Sequence, residues 1–162
     1  MNSIAVQATT PTLAENSDRP SRLRVRRSHA YGLLENRADD NEVVRAITDA
    51  VRDDLPDALE AVLEECRPAG DAEVVAGIGA VVGLVGQNWA RAGRDEFIAL
   101  AAGELLSLPG ALVLDALGRA RRRVTEGRML VAWICDDVEP KAARLHAERD
   151  RMTRLAELAA EG

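Results

Sequence analysis

The scarcity of aromatic residues restricts the fold of this chain more than any other feature. Phe, Tyr and Trp together make up 2% of the sequence, although apolar residues as a whole make up 47%. The core must therefore be built mainly from Ala, Val and Leu, and such residues pack more readily between helices than within a sheet. We predict an all-α fold, a compact bundle of about five to six helices with a disordered N-terminal arm.

Apolar residues recur at helical spacing through most of the chain after residue 37. One helix is predicted to begin at Asp40 or Asn41, and a second at Pro56, because proline is favoured in the first turn. Three further helices precede a long C-terminal segment, in which Pro140 either kinks the helix or begins a new one. Residues 38–162 therefore form one predicted helical domain, and none of them is predicted to form a strand.

The fifth of these helices has the clearest apolar face, and Gly127 is its expected end. The residues on that face recur at intervals of three or four. They are Val113, Ala116, Leu117, Ala120 and Val124.

Residues 1–37 are predicted to form a disordered basic arm. They are rich in polar residues and carry six arginines against three acidic residues, whereas residues 38–75 carry three basic against twelve acidic residues. The acidic middle disfavours nucleic acid as a partner of the whole domain, but the arm would permit salt-dependent contacts with DNA phosphates. The candidate contact residues are Arg19, Arg22, Arg24, Arg26 and Arg27.

The stretch VVAGIGAVVGLVGQNW, residues 74–89, holds four glycines among branched aliphatic residues. It is not predicted to bind phosphate, because the glycines from Gly77 read GxGxxxG rather than GxGxxG and no strand precedes them. Its apolar run is also shorter than the roughly 20 residues of a membrane span. We predict a buried central helix in which Gly79 and Gly83 form a flat strip for a neighbouring helix.

The residue types that carry catalysis or bind metals do not converge in this sequence. His29 and His146 have no second ligand at helical spacing, and Cys66 and Cys135 lie outside any CxxC pattern. We therefore predict no enzyme activity, no cofactor and no metal site, with both cysteines as reduced, packed thiols. The N-terminus lacks the pattern of a secretory signal, so a cytoplasmic protein that does not enter the membrane is expected.

Two further features are candidates for binding. Arg119, Arg122 and Arg123 cluster on the flank of the fifth helix, where they form either a solvated face or a second phosphate-contacting patch. The apolar stripe of the C-terminal segment is either core or interface, including an interface for self-association. The candidate interface residues are Trp133, Leu145, Met152 and Leu155.

The segment from Phe97 to Pro140 resembles a pattern in small helical proteins of phages and prophages, the helicase-loader-like proteins of phage replication modules. In that pattern a helix ends in a short "LP" turn, and a second helix with an Arg-rich end follows. An apolar or aromatic segment then leads into an acidic helix start. The matching residues are Leu106 to Pro109, Val113, Ala116, Leu117, Val131, Trp133, Ile134 and Glu139.

This resemblance implies a non-enzymatic adaptor of phage or prophage DNA replication. Its helical domain would dock on a protein partner, for which a replicative helicase is a candidate, and its flexible segment would contact DNA or the partner. Two alternatives remain. One is a small DNA-binding regulator that uses the basic arm together with Arg119, Arg122 and Arg123. The other is an oligomerising structural module built on the C-terminal helix.

Overall fold

The structure is a computed structural model that describes residues 20–85 and 90–161, except for the side chain of Ala92. Eight α-helices and one 3-10 turn lie in these ranges, which contain no strand, and the predicted all-α fold is confirmed. The helices are α1 (Pro20–Arg26), α2 (His29–Glu35), α3 (Asp40–Ala46), α4 (Asp49–Glu65), α5 (Asp71–Val85), α6 (Arg91–Leu105), α7 (Gly110–Ala120) and α8 (Leu130–Glu161), with the 3-10 turn at Gly127–Met129.

Helix α8 is the axis of the molecule. Its 32 residues span about 48 Å and run through Pro140 without a break. The first half of α8 packs against α6 and α7, and the second half packs against α2, α3 and α4. Buried residues from all eight helices join one hydrophobic core along this axis.

Helix α4 begins earlier than the sequence suggested, and the predicted helix start at Pro56 is wrong. The hydroxyl of Thr48 caps α4 by accepting a hydrogen bond from the backbone N–H of Val51 at 3.4 Å. A proline inside a helix costs about 3 kcal/mol. The burial of Val51 and Leu55 before Pro56, and of Val62 after it, favours one continuous helix despite that cost.

The arm is helical from residue 20 onward, so the prediction of disorder is wrong for residues 20–35. Helices α1 and α2 have seven residues each, which is too short for stability in isolation. They form because Val25, Ala30 and Tyr31 are buried against the rest of the protein. Sequence periodicity missed them because each contributes only one turn or two of apolar contact.

Helix α5 packs against α6 and α7 through one face only, so the prediction of a buried central helix is wrong. Val75 and Leu84 on its outer side are exposed. The predicted strip is also misplaced, because a Cβ on Gly83 would meet open space and one on Gly79 would make ordinary contact. The close approach is at Gly77, where a Cβ would lie 2.8 Å from Cδ1 of Leu117 in α7.

Helix α7 follows its predicted face. All five residues of that face are buried, although the helix ends at Ala120 and Gly127 instead begins the 3-10 turn. At the other end of α7, the backbone N–H of Gly110 donates to the carbonyl of Arg67 at 2.8 Å. A Cβ on Gly110 would lie 2.2 Å from the backbone nitrogen of Ala69. This contact ties the turn after α4 to the start of α7.

None of the helices in the described ranges combines the length and apolarity needed to cross a membrane.

Two glycine substitutions are expected to shift stability in opposite directions. Gly110→Ala should lower the free energy of unfolding by about 1–3 kcal/mol, because the added methyl group overlaps the Ala69 backbone. Gly83→Ala should raise it by up to about 1 kcal/mol, because the site is open and alanine is the better helix former. Urea unfolding with unchanged m-values measures both. Equal effects of the two substitutions would contradict this account of the Gly110 contact.

Candidate functional site

The first arginine of the arm that the structure describes is buried rather than available to a partner. Arg22 is 5% exposed, and its partners Glu65 and Glu148 are 7% and 8% exposed. Its Nε and Nη2 donate to Glu148 at 2.8 and 2.9 Å, and its Nη1 donates to Glu65 at 2.5 Å. Burial lowers the pKa of Arg22, but the hydrogen bonds to the two carboxylates outweigh it and raise that pKa above its ordinary value. Arg22 therefore joins α1, α4 and α8.

The next two arginines of α1 are also used within the fold. Arg24 donates two hydrogen bonds of 2.5 Å to Asp54 of α4, and these hold the pKa of that carboxyl below its ordinary value. Arg26 lies 3.5 Å from Glu148. Arg27 is exposed and, among the described residues, has no ion-pair partner. Arg19 lies outside the described residues, so α1 does not present the predicted row of phosphate contacts.

The second predicted arginine cluster is only partly available. Arg119 pairs with Asp115 at 2.9 Å and with Asp137 of α8 at 2.6 Å. The pKa of Asp137 is lowered by its hydrogen bond from Lys141 and by the nearby Arg119. Arg122 and Arg123, in the turn after α7, are exposed and have no ion-pair partner in the part of the chain described.

The four predicted interface residues lie in or against the core. Leu145, Met152 and Leu155 are buried between α8 and its neighbours, and Trp133 is half-buried against the same core. The periodicity located this face of α8 correctly, but a stripe facing the protein's own helices and one facing a partner have the same pattern. The structure assigns the stripe to the core.

An apolar groove lies between α4 and the end of α8. Leu55, Pro56 and Leu59 form one wall, Ala156, Ala159 and Ala160 form the other, and the volume is about 380 Å³. The wall on α8 is low because all three of its residues are alanine. Arg52 closes one end by donating a hydrogen bond to the carbonyl of Ala159.

An acidic stripe borders the α4 wall of this groove. Its five residues recur at intervals of three or four, so they share one face of α4, and all five are exposed. Within residues 20–85 and 90–161, only Glu64 of this set has an ion-pair partner, Arg67 at 2.6 Å. The acidic stripe consists of Asp49, Asp53, Asp57, Glu60 and Glu64. This spacing was visible in the sequence, but the groove beside it was not.

The described residues offer little reactive chemistry. They contain no cluster of three His, Cys, Asp or Glu side chains that could hold a metal ion. Burial raises the pKa of both Cys66 and Cys135, which keeps these thiols protonated near neutral pH and weakly nucleophilic. This surface offers apolar contact in the groove and negative charge along the acidic stripe.

Comparison of the chain with family models, with curated proteins and with solved structures gave no match. The resemblance of residues 97–140 to helicase-loader-like proteins stays a prediction.

Removing the buried guanidinium should destabilise the protein strongly. Arg22→Met is expected to lower the free energy of unfolding by about 3–5 kcal/mol, because it leaves Glu65 buried without a cation and Glu148 with only the more distant Arg26. Arg27→Met, at the exposed end of the same segment, should change it by less than about 0.5 kcal/mol. Urea denaturation of both variants tests this. A cost below 1 kcal/mol for Arg22→Met would show that the two carboxylates are solvated or neutral.

The Asp137 ion pairs should make a pH-dependent contribution to stability. The folded-state pKa of Asp137 lies below the ordinary value of 3.8, so its contribution is complete above that pH and is lost as pH falls through the folded-state pKa. Asp137→Asn should therefore cost about 1 kcal/mol or less at pH 7, and this cost should shrink as the pH falls below 3.8 towards about 2. Thermal unfolding between these pH values measures the difference, with the exposed Asp136→Asn as the control. A constant cost across this range would contradict the ion-pair explanation.

Proposed function

We propose that this protein is a non-enzymatic protein-binding adaptor whose docking surface is the groove between α4 and α8. The proposal is supported by a difference between the basic and the apolar side chains. Arg22, Arg24 and Arg119 make ion pairs within the fold. The groove, in contrast, leaves apolar side chains of two helices open to a partner. Binding to DNA phosphates requires exposed cations, whereas a helical partner requires an apolar groove.

The candidate partner is a replicative helicase, in a phage or prophage replication module. This part of the proposal is supported by the resemblance of residues 97–140 to helicase-loader-like proteins and by analogy alone. The groove lies outside that segment, on residues 52–59 and 156–160. Docking through the groove and the identity of the partner are therefore separate claims, and each needs its own test.

The first test is binding of the full chain to a purified hexameric replicative helicase, measured by interferometry. Wild type should bind, and Ala160→Glu should weaken binding at least tenfold because it places a charge in the apolar groove. Ala143→Glu is the matched control, since it makes the same change at an exposed position of the same helix. Equal affinities of the two variants would place the docking surface elsewhere, and no binding by wild type would remove the helicase as partner.

A parallel measurement of DNA affinity separates the adaptor from the DNA-binding regulator. Fluorescence anisotropy with duplex DNA should show no binding below about 100 µM at physiological salt, the weak end of non-specific affinity. Tighter, steeply salt-dependent binding that Arg122→Gln and Arg123→Gln abolish would favour the regulator. Deleting residues 1–37 is not a suitable variant, because it removes Arg22 from the buried network of α4 and α8.

A further inference from the structure

The groove and the acidic stripe lie side by side on α4. Leu55, Pro56 and Leu59 line the groove, and Asp53 and Glu60 of the stripe lie three residues before and four after Pro56, so they share its side of α4. Leu63 continues the apolar wall one turn further and is 46% exposed. A partner that fills the groove therefore passes beside Asp53 and Glu60.

The dimensions fit an α-helical segment. The stripe from Asp49 to Glu64 extends about 22 Å along the α4 axis, or four turns of a helix lying alongside it. Helices that bind in grooves insert apolar side chains from positions i, i+3, i+4 and i+7. The low alanine wall of α8 allows the backbone of such a helix to approach closely.

The charges determine which kind of helix fits. Four of the five stripe carboxylates have no ion-pair partner among the described residues. An acidic partner would place like charges in apposition, and a neutral partner would desolvate carboxylates without compensation. Lysine and arginine side chains can lie along the groove wall with their stems and reach the stripe with their charged ends.

Resting on the adaptor function proposed above, we propose that the groove binds a basic amphipathic helix of a partner protein. Apolar side chains of that helix occupy the space between Leu59 and Ala156, and its lysines or arginines pair with Asp53, Glu60 and their neighbours on the stripe.

The test uses the full chain and three labelled helical peptides of about five turns each. The first peptide has leucine on one face and lysine on the other, the second replaces lysine with glutamate, and the third replaces leucine with serine. Anisotropy titrations should show binding of the first peptide alone. Affinity should fall about tenfold between 50 mM and 500 mM salt, because the rim charges are exposed and screened.

A double charge reversal locates the contact. Asp53→Lys with Glu60→Lys should weaken binding of the leucine–lysine peptide about tenfold at low salt. The matched control is Asp136→Lys with Glu139→Lys, another exposed Asp and Glu on one helix, in the first half of α8. Because both variants change the net charge equally, the control should change affinity by less than about twofold.

Several outcomes overturn the basic-helix proposal. These are equal loss in the two double variants, equal binding of the glutamate peptide, and no binding of the leucine–lysine peptide. If Ala160→Glu still blocks the binding of a protein partner, the groove remains the docking surface of the adaptor, and only the basic helix is excluded as its ligand. If partner binding is weakened only by substitutions remote from the groove, the groove is not the docking surface of the adaptor.

Two other occupants give distinct results that also contradict the proposal. A wild-type dimer that Ala160→Glu dissociates, seen by light scattering, would identify a second copy of the chain. Occupation by residues 1–19 would be detected by zero-length amine-to-carboxylate crosslinking. Lys141 is the one lysine of the sequence, so a crosslink from the Met1 amine to Asp53 or Glu60 would be unambiguous.

Discussion

The fold depends on one long helix that serves both halves of the chain. Helix α8 supplies the buried residues against which α2, α3 and α4 pack at one end and α6 and α7 at the other. Because these two groups lie on different halves of α8, its uninterrupted course through Pro140 fixes their separation. The Gly110 contact with Arg67 and Ala69 is a second link between them. The groove exists because α4 reaches the last turns of this axis.

Arg22 is the centre of a buried polar network that also links the helices. It connects residues 43 and 126 positions away in the sequence, and its two carboxylates lie on the helices that form the groove. A buried ion pair is weak evidence of net stability, but removal of one partner is costly. In this protein the buried network orients the helices, because a guanidinium with fixed partners sets how α1, α4 and α8 pack against one another.

The sequence predicted fold class and most helices, and it predicted little of the site. The face of α7 and the core stripe of α8 followed from periodicity, because each helix buries one face along its whole length. Arg22 and Arg24 were predicted as phosphate contacts because they lie in a basic, polar segment. Their actual partners, Glu148 and Asp54, lie on other helices. No local pattern specifies pairs so distant in sequence.

By itself, the sequence determined that the described part of the chain is helical and that α4 carries an acidic face. These properties follow from residue type and from spacing along one element. Only the tertiary structure decided which side chains are covered: it buried Met152 and Leu155, exposed Leu84, and left a groove beside Leu59. Burial depends on which helices meet. The free energy gained by burying an apolar face is the same whichever neighbour covers it, so the sequence of one helix does not reveal its neighbour.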